Sequence, residues 1–172
     1  MAGLGRECQA TLFMVLVAGF SVVLGRWCGQ DDVVVGAPTA GRTRAELEGL
    51  IGFFVNTLVL RVDLSGDPSL RELVGRVREM ALGAYAHADV PFEKLVEELA
   101  PQRDLSRNPL FQVTFQLFES PTAPDAVGVE AGLEVPVTTS LFDLRVDVWP
   151  AGGGLAGRVE FDTDLFDRVS VE

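Results

Sequence analysis

The chain predicts an α+β domain in which helices pack against a mixed β-sheet. Three observations predict it. Stretches with helical spacing of apolar residues and stretches with strict alternation are interleaved along the chain, not segregated. Hydrophobic residues make up 48%, aromatics 8% and charged residues 23%, which is a globular composition. The 172 residues suit one domain, and no repeat, low-complexity tract or internal linker divides them.

The first element is a helix over about residues 10–28. Phe13, Leu16, Val17, Phe20, Leu24 and Trp27 recur at helical spacing. Val15, Ala18, Val22 and Val23 make the opposite side apolar too, so the helix is expected to be buried nearly all round. Gly29 stops it. Val33, Val34 and Val35 predict a short buried strand over residues 31–37, broken into a loop by Pro38 and Gly41. Residues 43–50 read as a short helical turn.

Residues 53–63 predict a strand with Phe54, Asn56, Leu58, Leu60 and Val62 on one face. Asn56 is the polar exception on that apolar face, and if buried its amide must be hydrogen-bonded. Ser69 and Glu72 have capping-box spacing and open a helix reaching about residue 86. Leu70, Leu73, Val74, Val77, Ala81 and Ala84 form its apolar stripe. Pro91 opens a second helix at its first turn, with Phe92, Leu95, Val96 and Leu99 as the buried side. Residues 110–118 alternate as a strand, and residues 127–137 read as a weaker one. Residues 141–149 and 155–162 predict a hairpin around Pro150 to Gly154. Its apolar face carries Leu144, Val146 and Val148. Its solvent face carries Asp143, Arg145, Asp147, Arg158, Glu160 and Asp162.

The bulk charge excludes several function classes. There are 25 acids against 14 bases, a net charge of −11. No Lys/Arg cluster stands out, so no nucleic-acid partner is expected. The acidity also argues against binding to anionic membranes. The uncharged stretch over residues 10–25 is 16 residues long, short of the roughly 20 that a membrane span needs. Arg6 is balanced by Glu7 before it and no small-residue cleavage site follows, so it does not read as a secretion signal. The two cysteines, Cys8 and Cys28, flank the predicted helix, too far apart along it to bond. Two free thiols fit a cytoplasmic location.

Side chains that could do chemistry are few. His87 is the only histidine, and a lone histidine offers no triad logic, so it reads as a turn residue after a helix. No histidine is left to activate a cysteine. The glycines at 36 and 41 precede Arg42 but lack the Gly-Lys-Ser/Thr ending of a phosphate loop. Arg42 itself sits in a Pro/Gly loop where it can meet a carboxylate or a phosphate. Arg103, Asp104, Ser106, Arg107 and Asn108 read as a hydrogen-bonded loop that locks a helix to the following strand.

Four separated motifs occur in one order: Gly36-Ala37-Pro38-Thr39-Ala40-Gly41-Arg42; Ile51-Gly52-Phe53-Phe54-Val55-Asn56-Thr57 followed by Arg61; His87-x-Asp89-x-Pro91-Phe92-Glu93; and Arg103-Asp104-x-Ser106-Arg107-Asn108-Pro109-Leu110. Together they resemble the second half of a condensation domain from a nonribosomal peptide synthetase. One departure is Ala88, where the family often has Gln. The resemblance implies a chloramphenicol-acetyltransferase-like lobe and puts Gly41, Arg42, Asn56, Thr57, Arg61, Pro91, Phe92, Arg103 and Asp104 forward as tunnel or motif residues. It implies a floor near residues 36–52 and a crossover to the first lobe between Phe118 and Ser140.

It also implies the partners: the N-terminal lobe, and donor and acceptor carrier proteins that bring phosphopantetheine thioesters. No cofactor is expected on the chain itself. The family's His-His-x-x-x-Asp-Gly motif lies in the first half, and one histidine cannot supply it. The expectation is a partial C-terminal lobe, truncated at both ends, that is inactive alone and offers no catalytic residue. Two alternatives stand beside it. One is a fragment of an epimerisation domain of the same fold. The other is a noncatalytic carrier-protein docking module.

Overall fold

A computed structural model describes residues 2–42, 44–99, 107–118 and 140–171. The chain forms two compact units, residues 1–111 and residues 112–172. The predicted α+β class is what the structure has, with helices packed on strands and a mixed sheet. The predicted strand at 127–137 and the Arg103–Asp104–Ser106 part of the last motif lie outside the described residues.

The first unit opens with a short helix, α1 (Ala2–Glu7), followed by α2 (Leu12–Cys28). Thr11 caps α2: its hydroxyl accepts the Met14 N–H at 3.3 Å. Gly29, left-handed at φ 65°, closes the other end. The helix is one-sided, not buried all round. Met14, Val17, Ala18, Ser21 and Leu24 are buried, while Leu12, Val23 and Trp27 are exposed. The inner face packs on α3 and β1.

β1 (Asp32–Thr39) pairs antiparallel with β2 (Asn56–Asp63), Val35 opposite Leu60. Pro38 lies inside β1, opposite Thr57, so it does not end the strand as its ring suggested. Proline is tolerated where a strand needs no donor at that position. The β2 strand starts at Asn56, three residues later than expected, and Phe53 and Val55 before it are exposed. Val33, Val35, Leu58, Leu60 and Val62 are buried beneath α2 and α3 (Leu70–Ala86). Each such side chain contributes about 1.5–3 kcal/mol by leaving water.

Ser69 and Glu72 form the predicted capping box at the start of α3, the Ser69 N–H donating to Glu72 Oε2 at 2.8 Å. Leu73, Val74, Val77 and Ala81 are its buried stripe, whereas Leu70 is exposed. A single 3₁₀ turn, Ala45–Leu47, occupies the segment predicted to be a helical turn. α4 (Phe92–Leu99) starts one residue after Pro91, whose carbonyl accepts from Lys94 and Leu95. Its expected buried side is only half covered, and Leu99 is exposed. An eight-residue helix packed mainly on β2 cannot bury a full stripe.

In the second unit β3 (Val113–Leu117) runs parallel to β4 (Leu144–Ala151), which pairs antiparallel with β5 (Gly154–Phe161). The hairpin turn is Gly152–Gly153, at φ 56° and 80°, a two-residue turn that glycine makes without strain. A short helix, α5 (Arg168–Val171), follows. The predicted solvent face of the hairpin is wrong at its centre. Asp147 is 1% exposed and bound by two arginines: Arg145 Nε donates to Oδ1 at 3.0 Å, and Arg158 donates to Oδ2 at 3.4 Å. Pairing on both sides makes the burial of that carboxylate tolerable. Among the described residues no helix is long and apolar enough to cross a membrane.

Candidate functional site

Three of the four motifs, and the residue that follows the fourth, meet within the first unit. The junction is Asn56, the first residue of β2. Its Nδ2 group donates to the carbonyls of Ala88 and Val90, both at 2.8 Å. Its Oδ1 accepts from its neighbour Thr57 N–H at 2.9 Å and from Phe92 N–H at 3.1 Å. Two carbonyls face one side of the amide and two N–H groups the other, so the orientation of the amide is dictated by its surroundings. Asn56 thereby caps α4 from outside the helix. Pro91, immediately before α4, has no side-chain oxygen to do so.

Phe92 continues the chain of contacts. Its ring lies 5.5 Å from that of Phe111, tilted by 58°, within the range of a favourable aromatic pair. Phe111 is buried, and its ring lies directly over Gly36. A Cβ at position 36 would come within 2.3 Å of the ring, so only glycine admits this approach. Asn108 sets up the approach of Phe111, its Oδ1 accepting from Leu110 N–H at 3.3 Å in a local side-chain turn.

The other end of the first motif is fastened separately. Gly41 sits at φ 62° with the Phe54 carbonyl against its α-carbon, where a Cβ would be only 1.9 Å from that oxygen. Arg42 donates to the carbonyls of Leu47 and Glu48, the latter at 3.4 Å, and its guanidinium stands 4.4 Å over the Phe54 ring. The arginine that the sequence offered to a carboxylate or phosphate is thus engaged with backbone oxygens and a ring. Beyond this fastening, Ile51 and Phe53 project almost wholly into solvent.

An open cavity of about 430 Å³ lies beside the junction, walled by Gly41, Phe53, Asn56, Asp89, Phe92 and Glu93. A slightly larger one, about 490 Å³, sits at the C-terminal end of α2, between Gly25, Asp31, Leu64 and Leu73. No motif residue reaches the larger cavity, and two others of about 440 and 410 Å³ are reached by Arg61 alone; the one beside the junction gathers residues of three motifs and marks the candidate site.

The remaining candidates lie apart from the junction. Arg61 is on the solvent side of β2 and holds Asp32 in a two-pronged pair, Nε to Oδ1 at 2.9 Å and Nη2 to Oδ2 at 2.6 Å. That hydrogen bond lowers the Asp32 carboxyl below its ordinary value. Thr57, half-buried, contributes its backbone to the junction. His87 is the exposed residue that ends α3, its N–H donating to the Ala84 carbonyl at 3.1 Å, as expected of a turn residue. Arg103 and Asp104 lie outside the described residues. The described residues contain no group of three or more potential metal ligands.

Sequence reasoning singled out Asn56, Pro91 and Phe92. It missed that Gly36 and Phe111 belong to the same junction, and that the partners of Asn56 are backbone carbonyls and N–H groups. Phe111 directly follows the fourth motif, and that adjacency was the available signal. Backbone partners leave no signature in side-chain identity.

Comparison with known proteins agrees with this convergence of motifs. The family model described as "Condensation domain" matches residues 2–172. The chain is 51% identical over 179 aligned residues to a linear gramicidin synthase of Brevibacillus parabrevis, covering 100% of this chain and 4% of that protein. Among solved structures it superposes on a holo four-domain nonribosomal peptide synthetase bound to AMP and glycine. There the TM-score is 0.87 and the identity 27%, over 98% of this chain and 14% of that one. It also superposes on the X-domain from teicoplanin biosynthesis, at TM-score 0.85 and 30% identity, over 99% of this chain and 40% of that one. That X-domain is known as well in a complex with OxyB. The chain therefore spans a small part of the synthetases it resembles.

Proposed function

Because this chain belongs to the condensation-domain family, matched over residues 2–172, we propose that it forms the C-terminal lobe of a domain that joins amino acids within a nonribosomal peptide synthetase. In that reaction the amine of an acceptor aminoacyl group attacks the donor thioester. A C–N bond forms, the C–S bond breaks, and the thiol leaves with a proton from the amine. Both substrates arrive on carrier proteins through phosphopantetheine, and the chain itself holds no cofactor. A reducing cytoplasm suits its two free cysteines.

The observation that carries this reading is the junction at Asn56. Motifs spread over residues 36–111 meet at one amide and one pair of rings. The lobe's part is geometric. A rigid wall holds tethered substrates in line, and orientation of that kind accounts for much of the rate in two-substrate reactions. Proton transfer belongs to the partner lobe, since His87 is the one histidine of this chain and sits at the exposed end of α3.

The X-domain likeness favours a second reading, a lobe used for protein docking without catalysis, since that domain is known in complex with OxyB. One pair of assays separates them. A full-length synthetase module containing this chain, charged with donor and acceptor aminoacyl carriers, is expected to form dipeptide on the acceptor carrier. The chain alone is expected to form none above background, because a positioned acid or base group contributes roughly 10²–10⁴-fold. Condensation by the chain alone at the rate of an intact module would overturn the partial-lobe reading. A module that binds carriers but never condenses them would establish docking instead.

A further inference from the structure

We propose that Asn56 is a positioning residue that never touches substrate, and that it acts by holding the 88–92 segment as the wall of the cavity beside it. This rests on the condensation reading above and assigns a role within that site.

The hydrogen-bonding capacity of Asn56 is already full. A carboxamide has two N–H donors and two acceptor lone pairs. All four are engaged inside the protein: by the Ala88 carbonyl, the Val90 carbonyl, the Thr57 N–H and the Phe92 N–H. A substrate could engage the amide only by displacing one of these backbone groups, and three of the four bonds, those to Ala88, Thr57 and Phe92, are partly shielded from water, which makes the exchange costly. The four partners lie in two segments about 30 residues apart in sequence. Thr57 belongs to β2, which is anchored in the core through Leu58 and Leu60. Ala88, Val90 and Phe92 belong to the loop and first turn of α4, an element with no fully buried side chain of its own. The amide therefore passes rigidity in one direction, from a packed strand to a weakly packed loop. Its effect reaches further through the Phe92 ring, which rests on the buried Phe111. Asp89 and Glu93, which line the cavity, are carried by the same segment, so their placement depends on Asn56 although neither touches it in the hydrogen-bond network.

Two substitutions separate the parts of this role. Asn56→Leu removes all four bonds. Asn56→Asp keeps both acceptors but turns a carboxylate oxygen toward two carbonyls. Amide hydrogen exchange on the chain itself reads the result. In Asn56→Leu, the Phe92 and Thr57 amides are expected to exchange about tenfold faster or more, the scale of a lost hydrogen bond, while Leu60 and Val74 keep their rates. In Asn56→Asp, Phe92 and Thr57 stay protected and the Val90 amide exchanges faster. An unchanged Phe92 in Asn56→Leu, or uniform acceleration throughout the unit, overturns the proposal.

In the full-length module, both variants are expected to lower kcat about tenfold or more, with KM for the carriers within twofold and the same loss for two chemically different acceptor amino acids. A rise in KM alone, or a loss confined to one acceptor, would mean that Asn56 meets substrate. If the wild-type module fails to condense at all, the condensation reading falls while the exchange measurements still decide whether Asn56 holds the wall.

Discussion

Gly36 and Ser21 show how far a single atom decides local stability. At Gly36 the added methyl of alanine would press on the Phe111 ring at 2.3 Å, and that ring is buried against Phe92. Overpacking of this kind costs about 1–3 kcal/mol. Gly36→Ala is therefore expected to lower Tm by several degrees, on the scale of roughly 2–4 °C per kcal/mol. Adding Phe111→Leu should recover part of the loss; a thermal melt unchanged by Gly36→Ala would refute the packing. Ser21 presents the opposite case. Its hydroxyl is fully buried on the inner face of α2 and has no hydrogen-bond partner among the described residues. A buried polar group left unpaired costs about 1–3 kcal/mol, and alanine is the better helix former. Ser21→Ala should leave stability unchanged or raise it by about 1 kcal/mol, read from the urea midpoint. A clear fall in that midpoint would show that the hydroxyl is bonded after all.

Among the elements, α3 carries a titratable cap. The Ser69 hydroxyl and backbone N–H hold the Glu72 carboxyl below its ordinary value of 4.5. A carboxyl depressed in the folded state stabilises fully above its unfolded value and stops doing so as pH falls through the folded one. The cap is therefore expected to weaken only below about pH 4.5. Helicity of the wild type should fall in that acid range, while Glu72→Gln starts lower at neutral pH and loses less. Parallel curves for the two proteins would remove Glu72 from the account. The β4–β5 hairpin makes a different point. Its alternation was plain, and the strands formed where expected to within a few residues. The side facing water was misassigned at Asp147, because alternation separates two faces without saying which is covered. Two arginines two and eleven residues away supplied the compensation that burial needs.

The whole chain carries a net charge of −11 yet leaves large apolar side chains in water, among them Ile51, Phe53, Trp27 and Leu141. Surfaces of this kind in a stable protein mark places where something else packs. For the chain on its own, self-association at high concentration is the expected result. Light scattering across a concentration series tests it, together with binding of a dye that reports apolar surface. A clean monomer with no dye binding would mean that these side chains are simply tolerated. Ile51→Ser with Phe53→Ser should reduce any association without lowering Tm, since both residues lie outside the core.

By itself the sequence determined the fold class, the three principal helices, the caps at Gly29 and Ser69, and the oddity of Asn56. Periodicity, capping and an amide on an apolar face are local properties, written within a few residues of where they act. It also carried the four motifs that point to the family. Tertiary structure alone decided that Gly36, Asn56, Phe92 and Phe111 are one site, that Arg42 serves a loop, and that Asp147 is buried. The first rests on contacts between residues far apart in the chain, the second on backbone groups every residue shares, and the third on which face of a hairpin is covered. A chain read in one dimension records neither distance through space nor which face another element will cover.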